Sequence, residues 1–134
     1  MNDAPLTPFD RFGGHDFFDL LISRFYAGVA DDPVLRPLYP EQDLGPAAER
    51  LQLFLEQYWG GPTTYSQERG HPRLRMRHQP FAVDAAAHDA WLRHMGEALD
   101  EAAAVHHLSP EDREELWDYL TRAAFAMVNT YPTP

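Results

Sequence analysis

The chain has 134 residues, with 11 basic and 21 acidic side chains, a net charge of −10 and no cysteine. That length fits one domain able to bury roughly two-thirds of its unfolded surface. The acidity argues against a nucleic-acid or anionic-lipid surface, and the lack of cysteine excludes thiolate metal sites, iron–sulfur clusters and disulfides.

The first dozen residues carry Pro5 and Pro8 and little periodicity, so they are expected to form a loose arm. They lack a basic stretch followed by an apolar one, and no apolar run approaches the ~18 residues of a spanning helix. A soluble, cytoplasmic protein is the expectation. A first long helix is predicted from about His15 to Ala30, where Phe18, Leu21, Ile22, Phe25 and Val29 recur at three- and four-residue spacing. Asp31-Asp32-Pro33 stops it, because proline cannot continue the hydrogen-bond ladder. Asp32-Pro33 then reads as cap and first turn of a short helix ending near Tyr39-Pro40.

Gly45-Pro46 opens a second long helix, Ala47 to Trp59, with Leu51, Phe54, Leu55 and Tyr58 as its apolar stripe. Gly60-Gly61-Pro62 ends it. Residues 60 to 80 show no strand alternation, and an irregular segment of that length is normally functional or disordered. One helical turn fits after Pro72 and before Pro80. Asp84 caps a third long helix, about Ala85 to His106, with Trp91, Leu92, Met95 and Leu99 facing inward. Ser109-Pro110-Glu111-Asp112 starts a fourth, roughly Pro110 to Asn129, with Leu116, Tyr119, Leu120, Ala123, Met127 and Val128 as its stripe. The class is all-α.

The chemistry concentrates between Arg69 and Phe81. All eleven basic residues are arginine, and Arg69, Arg73, Arg75 and Arg77 fall within nine positions, together with His71 and His78. A solvated basic loop is the plain interpretation; an anion site is the sharper one, since arginine holds carboxylates and phosphates bidentately. A Gly-rich loop with lysine is missing, which disfavours nucleotides. His78 is locally the best metal-ligand candidate, although His15, His71, His88, His94, His106 and His107 form no zinc-type pattern with it. A haem iron needs only one protein imidazole, an apolar slot and cations for two propionates. Tyr26, Tyr39 and Trp91 each combine a large apolar body with a polar tip, which by itself marks a core aromatic with a hydrogen-bonded handle. The residues alone therefore give a helical domain with an arginine–histidine loop that binds haem or an anion.

Phe25-Tyr26, the run Asp32 to Pro40, the run Phe54 to Pro62, the run Arg69 to Phe81 and Asp89 to Met95 together resemble the group II truncated haemoglobins, the O type of bacteria. The resemblance covers about residues 9 to 131. It implies an all-α two-over-two helical sandwich around one haem b, with residues 1–8 as a flexible arm and 9–134 as a single globin domain. It puts His78 at the proximal iron ligand and Tyr26, Tyr39 and Trp91 at the polar distal positions. Ala47 stands where many globins carry a distal histidine or glutamine, and Leu51 closes the apolar roof. Arg50 and Arg77 are the first candidates for propionate contacts, followed by Arg69, Tyr65 and His71. Leu51, Phe54, Met76, Phe81 and Trp91 would wall the cofactor.

The implied partners are O2, CO and NO. Several hydrogen-bond donors in a low-dielectric pocket would slow O2 release, consistent with binding, storage or delivery rather than bulk transport. The alternative is a redox enzyme on the same iron, a peroxidase, nitric-oxide dioxygenase or nitrite reductase, served by an external reductase. An exposed aromatic or proline-rich arm could support a homodimer.

Overall fold

A computed structural model of the chain describes residues 6–70 and 83–128. Among them the elements are helical: α1 Pro8–Phe12, α2 Gly14–Ala30, a 3-10 turn Arg36–Leu38, α3 Gly45–Tyr58, α4 Thr64–Arg69, α5 Ala85–His106 and α6 Pro110–Met127. The predicted turn after Pro72 lies outside the described residues. No helix among them is long and apolar enough to cross a membrane.

The long helices begin and end where local chemistry dictates. Asp84 accepts the Ala87 N–H and starts α5, while Ser109 accepts the Asp112 N–H and starts α6 behind Pro110. Such caps satisfy N–H groups that have no carbonyl partner within the helix. α5 ends on His107 in the left-handed region (φ 54°). α6 stops at Met127, two residues short of the predicted end.

α2 packs most extensively on α5 and then on α3, and α5 packs on α6. The result is a two-over-two sandwich, with α2 and α3 in one layer and α5 and α6 in the other. Phe18, Leu21, Ile22, Phe25 and Val29 of α2 are all buried, as their spacing requires. α2 approaches α5 closely at Gly28, where a Cβ would collide with the His94 ring.

Four expectations need correction. The first dozen residues are not a loose arm from Thr7 onward. Thr7 and Asp10 form a reciprocal capping box for α1, and Phe12 is completely buried. Five residues are too few for a period to register, so only the cap carries the signal. The helix expected before Tyr39-Pro40 contracts to the single 3-10 turn, because Asp32 Oδ1 accepts from the Val34 and Leu35 N–H groups and holds that stretch as a turn. The segment after residue 60 contains α4, which has only Tyr65 buried and so shows no apolar stripe. Finally, Tyr58 is exposed although it shares the α3 stripe, and Trp91 and Leu92 are half-buried rather than in the packed core.

Candidate functional site

Between the layers lies a cavity of about 600 Å³, a size typical of small-molecule and cofactor sites (~300–1,000 Å³). Its walls are mostly apolar, from Leu35, Leu38, Leu51, Phe54, Leu55, Val83, Leu120 and Met127. Space exists because small residues stand where the helices face it: Ala47 on α3, Ala87 on α5, and Ala123 and Ala124 on α6.

Tyr26, Tyr39 and Trp91 come to this cavity from three different elements. Tyr26 is set by the buried face of α2, with its ring edge-on to Phe25 (4.9 Å between centroids) and to Tyr39 (5.7 Å). Tyr39 is placed by the loop after the 3-10 turn. Arg36 staples that loop by donating to the carbonyls of Tyr39 at 3.0 Å, Glu41 at 2.8 Å and Gln42 at 2.9 Å. Trp91 rides on α5 with its ring 5.3 Å from Phe25.

A buried carboxylate anchors the helix that carries Trp91. Asp32 Oδ2 accepts from Arg93 Nη2 at 2.9 Å and lies 2.6 Å from His94 Nε2, which must be the donor to an ionised acid. The His94 hydrogen bond, helped by the Leu35 and Val34 amides, holds the Asp32 carboxyl down at about 2. This one side chain joins the end of α2, the following turn and the middle of α5.

The tyrosines are electrostatically coupled. Burial pushes the Tyr26 phenol far above its usual range, and Tyr39 raises it further. Burial raises Tyr39 as well, partly offset by Tyr26 and Arg50. Both remain neutral phenols at physiological pH and keep their protons to donate.

The rim carries charge. Arg50 lines the cavity and pairs with Glu41, Nη2 to Oε1 at 3.4 Å; both side chains are partly exposed, so the pair is weak and exchangeable. Arg69 also lines the cavity, its guanidinium 6.0 Å from the Tyr65 ring centre. A flat apolar ring system with two acidic side chains fits this donor set: Leu51, Phe54 and Leu120 for its faces, Arg50 and Arg69 for its acids. Among the described residues no group of three His, Asp or Glu could hold a bare metal ion.

Of the sequence-predicted site residues, Tyr26, Tyr39, Ala47, Arg50, Leu51, Phe54, Tyr65, Arg69 and Trp91 therefore line one cavity. His71, Met76, Arg77, His78 and Phe81 lie outside the described residues. Sequence reasoning did not single out His88 or Glu41 as lining residues. His88 stands one turn before Trp91 on α5, a spacing that could have flagged it. The α6 stripe residues Tyr119, Leu120, Ala123 and Met127 wall the cavity as well.

The family of bacterial-like globins matches residues 7–129. A group 2 truncated haemoglobin of Bacillus subtilis, YjbI, is 41% identical over 129 residues, covering 96% of this chain and 93% of the relative. This chain belongs to the group II truncated haemoglobins. A thermostable haemoglobin from the actinobacterium Thermobifida fusca shares the fold with a TM-score of 0.89 at 57% identity, covering 93% of this chain and 98% of the other. A truncated oxygen-avid haemoglobin from Bacillus subtilis does so with a TM-score of 0.83 at 40% identity, covering 92% and 100%. As a truncated haemoglobin the protein binds haem and, at the haem, small diatomic ligands.

Proposed function

We propose that the cavity holds haem b, that His78 is the proximal iron ligand, and that Tyr26, Tyr39 and Trp91 hold O2 tightly on the opposite face. Ferrous haem supplies reversible O2 binding with partial negative charge on the ligand. The observation that carries the reading is the convergence of two neutral phenols and one indole from three separate elements on one apolar cavity. An indole N–H only donates, and a phenol can donate and accept. Each donor would add on the order of 1–3 kcal/mol to a partly charged acceptor in a low dielectric. The oxygen-avid relative points the same way.

Tyr26 and Tyr39 hold each other edge-on, with ring centroids 5.7 Å apart, which limits the directions their O–H groups can take. Ala47 presents only a methyl group to the cavity, so no imidazole at that position competes for the ligand or shuttles protons. Arg50 and Arg69, with Arg77, Tyr65 and His71, would bind the propionates and fix the orientation of the cofactor. O2 binding with slow release, rather than bulk transport, is the expected property. A redox role would require electrons from an external reductase.

Absorption spectra of the ferric and reduced protein, with O2 and with CO, followed by the O2 dissociation rate, test the proposal. A stable O2 complex with slow release supports it, and a colourless protein that cannot be reconstituted overturns it. Two variants assign the ligand. His78→Ala should abolish the five-coordinate imidazole spectrum, whereas His88→Ala, on the cavity wall of α5, should keep it. The reverse outcome moves the iron to His88.

A further inference from the structure

Asp32, Arg93 and His94 form a polar cluster that does not line the cavity, yet it stands where the three elements that carry the cavity's donors meet. Asp32 follows α2, six residues after Tyr26. Its Oδ1 accepts from the Val34 and Leu35 N–H groups at 2.8 and 3.0 Å, which shapes the turn that leads to Tyr39. Its Oδ2 lies 2.6 Å from Nε2 of His94, three residues after Trp91 on α5. Residues at that spacing are neighbours on one side of a helix, so His94 stands one turn from the indole. The His94 ring also lies against Gly28 of α2, where any side chain would collide with it.

The two contacts to Oδ2 are unequal. The Arg93 side chain is 59% exposed, so water screens its ion pair. The His94 side chain is 15% exposed and that of Asp32 3%, so their hydrogen bond is shielded and charge-assisted. Trp91 itself meets α2 through the Phe25 ring, with 5.3 Å between centroids. Apolar contact of that kind sets how far apart two helices stand but is non-directional, so it lets them slide. A hydrogen bond to a carboxylate that two backbone amides already hold fixes the register instead. Hydrogen bonds weaken steeply as they lose alignment, so a small slide of α5 would take the Trp91 N–H out of line.

We propose that His94, held by Asp32, is a positioning residue for O2: it fixes the register of α5 on α2 so that the Trp91 N–H meets the ligand together with Tyr26 and Tyr39. The proposal deepens the O2-binding reading above and rests on it. His94 does not line the cavity, so it acts through Trp91. Its ring reaches Asp32 across the close approach that Gly28 allows, which makes Gly28 and His94 two halves of one contact.

The test compares haem-loaded variants by O2 dissociation rate and by the infrared C–O stretching frequency of the CO complex. That frequency rises as hydrogen-bond donors at the ligand weaken. His94→Leu removes the donor to Asp32 and should speed O2 release by about three- to tenfold, the range for residues that act on a site without touching it. It should also shift the C–O stretch upward. His94→Gln keeps an N–H donor where Nε2 stands and should return both readouts to those of the unaltered protein. Arg93→Ala, on the same carboxylate, should leave both unchanged. In a Trp91→Phe background, His94→Leu should add nothing further to the O2 rate, because its effect runs through the indole. Should His94→Leu fail to retain haem, His94→Asn takes its place, a polar side chain whose amide stops short of Asp32. Unchanged readouts in the donor-less variant, the same loss in His94→Gln, or a full further loss on top of Trp91→Phe overturns the positioning role alone. An unaltered O2 rate in Trp91→Phe overturns the ligand-site reading beneath it, and a protein that takes up no haem overturns the cofactor reading and the positioning role with it.

Discussion

Two regions of this protein are rich in aromatic side chains and are built for opposite ends. Where α1, α2 and the end of α3 meet, Phe9, Phe12, Phe17, Phe18 and Trp59 pack ring against ring at centroid separations of 5.1 to 6.3 Å. Phe12, Phe17 and Phe18 have no exposed surface at all. Across the molecule, Tyr26, Tyr39 and Trp91 surround space instead of filling it. The difference lies in the partners. The corner matches large rings with large rings, whereas the cavity sets its aromatics among Ala47, Ala87, Ala123 and Ala124. It also lies in the tips, because phenylalanine brings no polar atom and the cavity residues bring one each. One region stores stability and the other stores binding capacity, so a substitution in each should be felt in a different measurement.

The largest expected effect is in the corner. Phe12→Ala should cost about 3–5 kcal/mol, because close-packed rings cannot collapse into the void. Urea unfolding should register that loss in haem-loaded and haem-free protein alike, and a loss below about 1 kcal/mol would mean that α1 does not contribute to the core. Removing haem should act on the other region. At a hundredfold excess of free haem over its dissociation constant, the loaded protein should be about 2.7 kcal/mol more stable than the apo-protein. A melting temperature independent of haem concentration would contradict this.

A smaller effect separates binding from folding. Trp91→Phe should keep the fold and the haem but change O2 dissociation by about tenfold or more, since about 1.4 kcal/mol is one decade. An unchanged rate removes Trp91 from the ligand site. Next comes the anchor behind Trp91. The Asp32 carboxyl is depressed from its usual 3.8 to about 2. Its contribution to stability is therefore complete above about 4 and is lost as pH falls towards 2. Asp32→Asn should flatten that part of the acid limb in a urea-midpoint profile. His15 runs the other way: the Glu56 hydrogen bond raises it above 6.5. Its contribution is complete below 6.5 and disappears as pH rises through the raised value, a slope that His15→Gln should remove. The smallest effect belongs to the surface. Arg24→Ala breaks an exposed pair with Glu101 and should leave both the unfolding midpoint and the O2 rate unchanged.

Legibility in the sequence followed the range of the interaction. Ser109 and Asp84 announce α6 and α5 because a cap acts within three residues. α1 carried the same kind of signal in Thr7 and Asp10, but its five residues span little more than one turn and gave no period to support it. α4 exposes all but one of its large side chains, so its amphipathic pattern is nearly blank. Tyr58 shows the limit of periodicity. It lies in register with the buried stripe of α3, yet its ring stands half in solvent against Tyr119, while Leu55 and Glu56 of the same turn stay buried.

By itself the sequence determined the class, the four long helices, most of their ends, the family and the residues to watch, among them His78. Those properties rest on local hydrogen bonds, helical spacing and contiguous motifs, each readable within a few residues. Only the tertiary structure decided that Tyr26, Tyr39 and Trp91 share one cavity, that the α6 stripe walls it, and that Tyr58 stacks on Tyr119 at its edge. Asp32 decided the placement of α5 against α2, and alanines on three helices decided that the space between the layers stays open. Distances between helices depend on which side chains meet across the gap, and no single segment of the chain contains both sides of it.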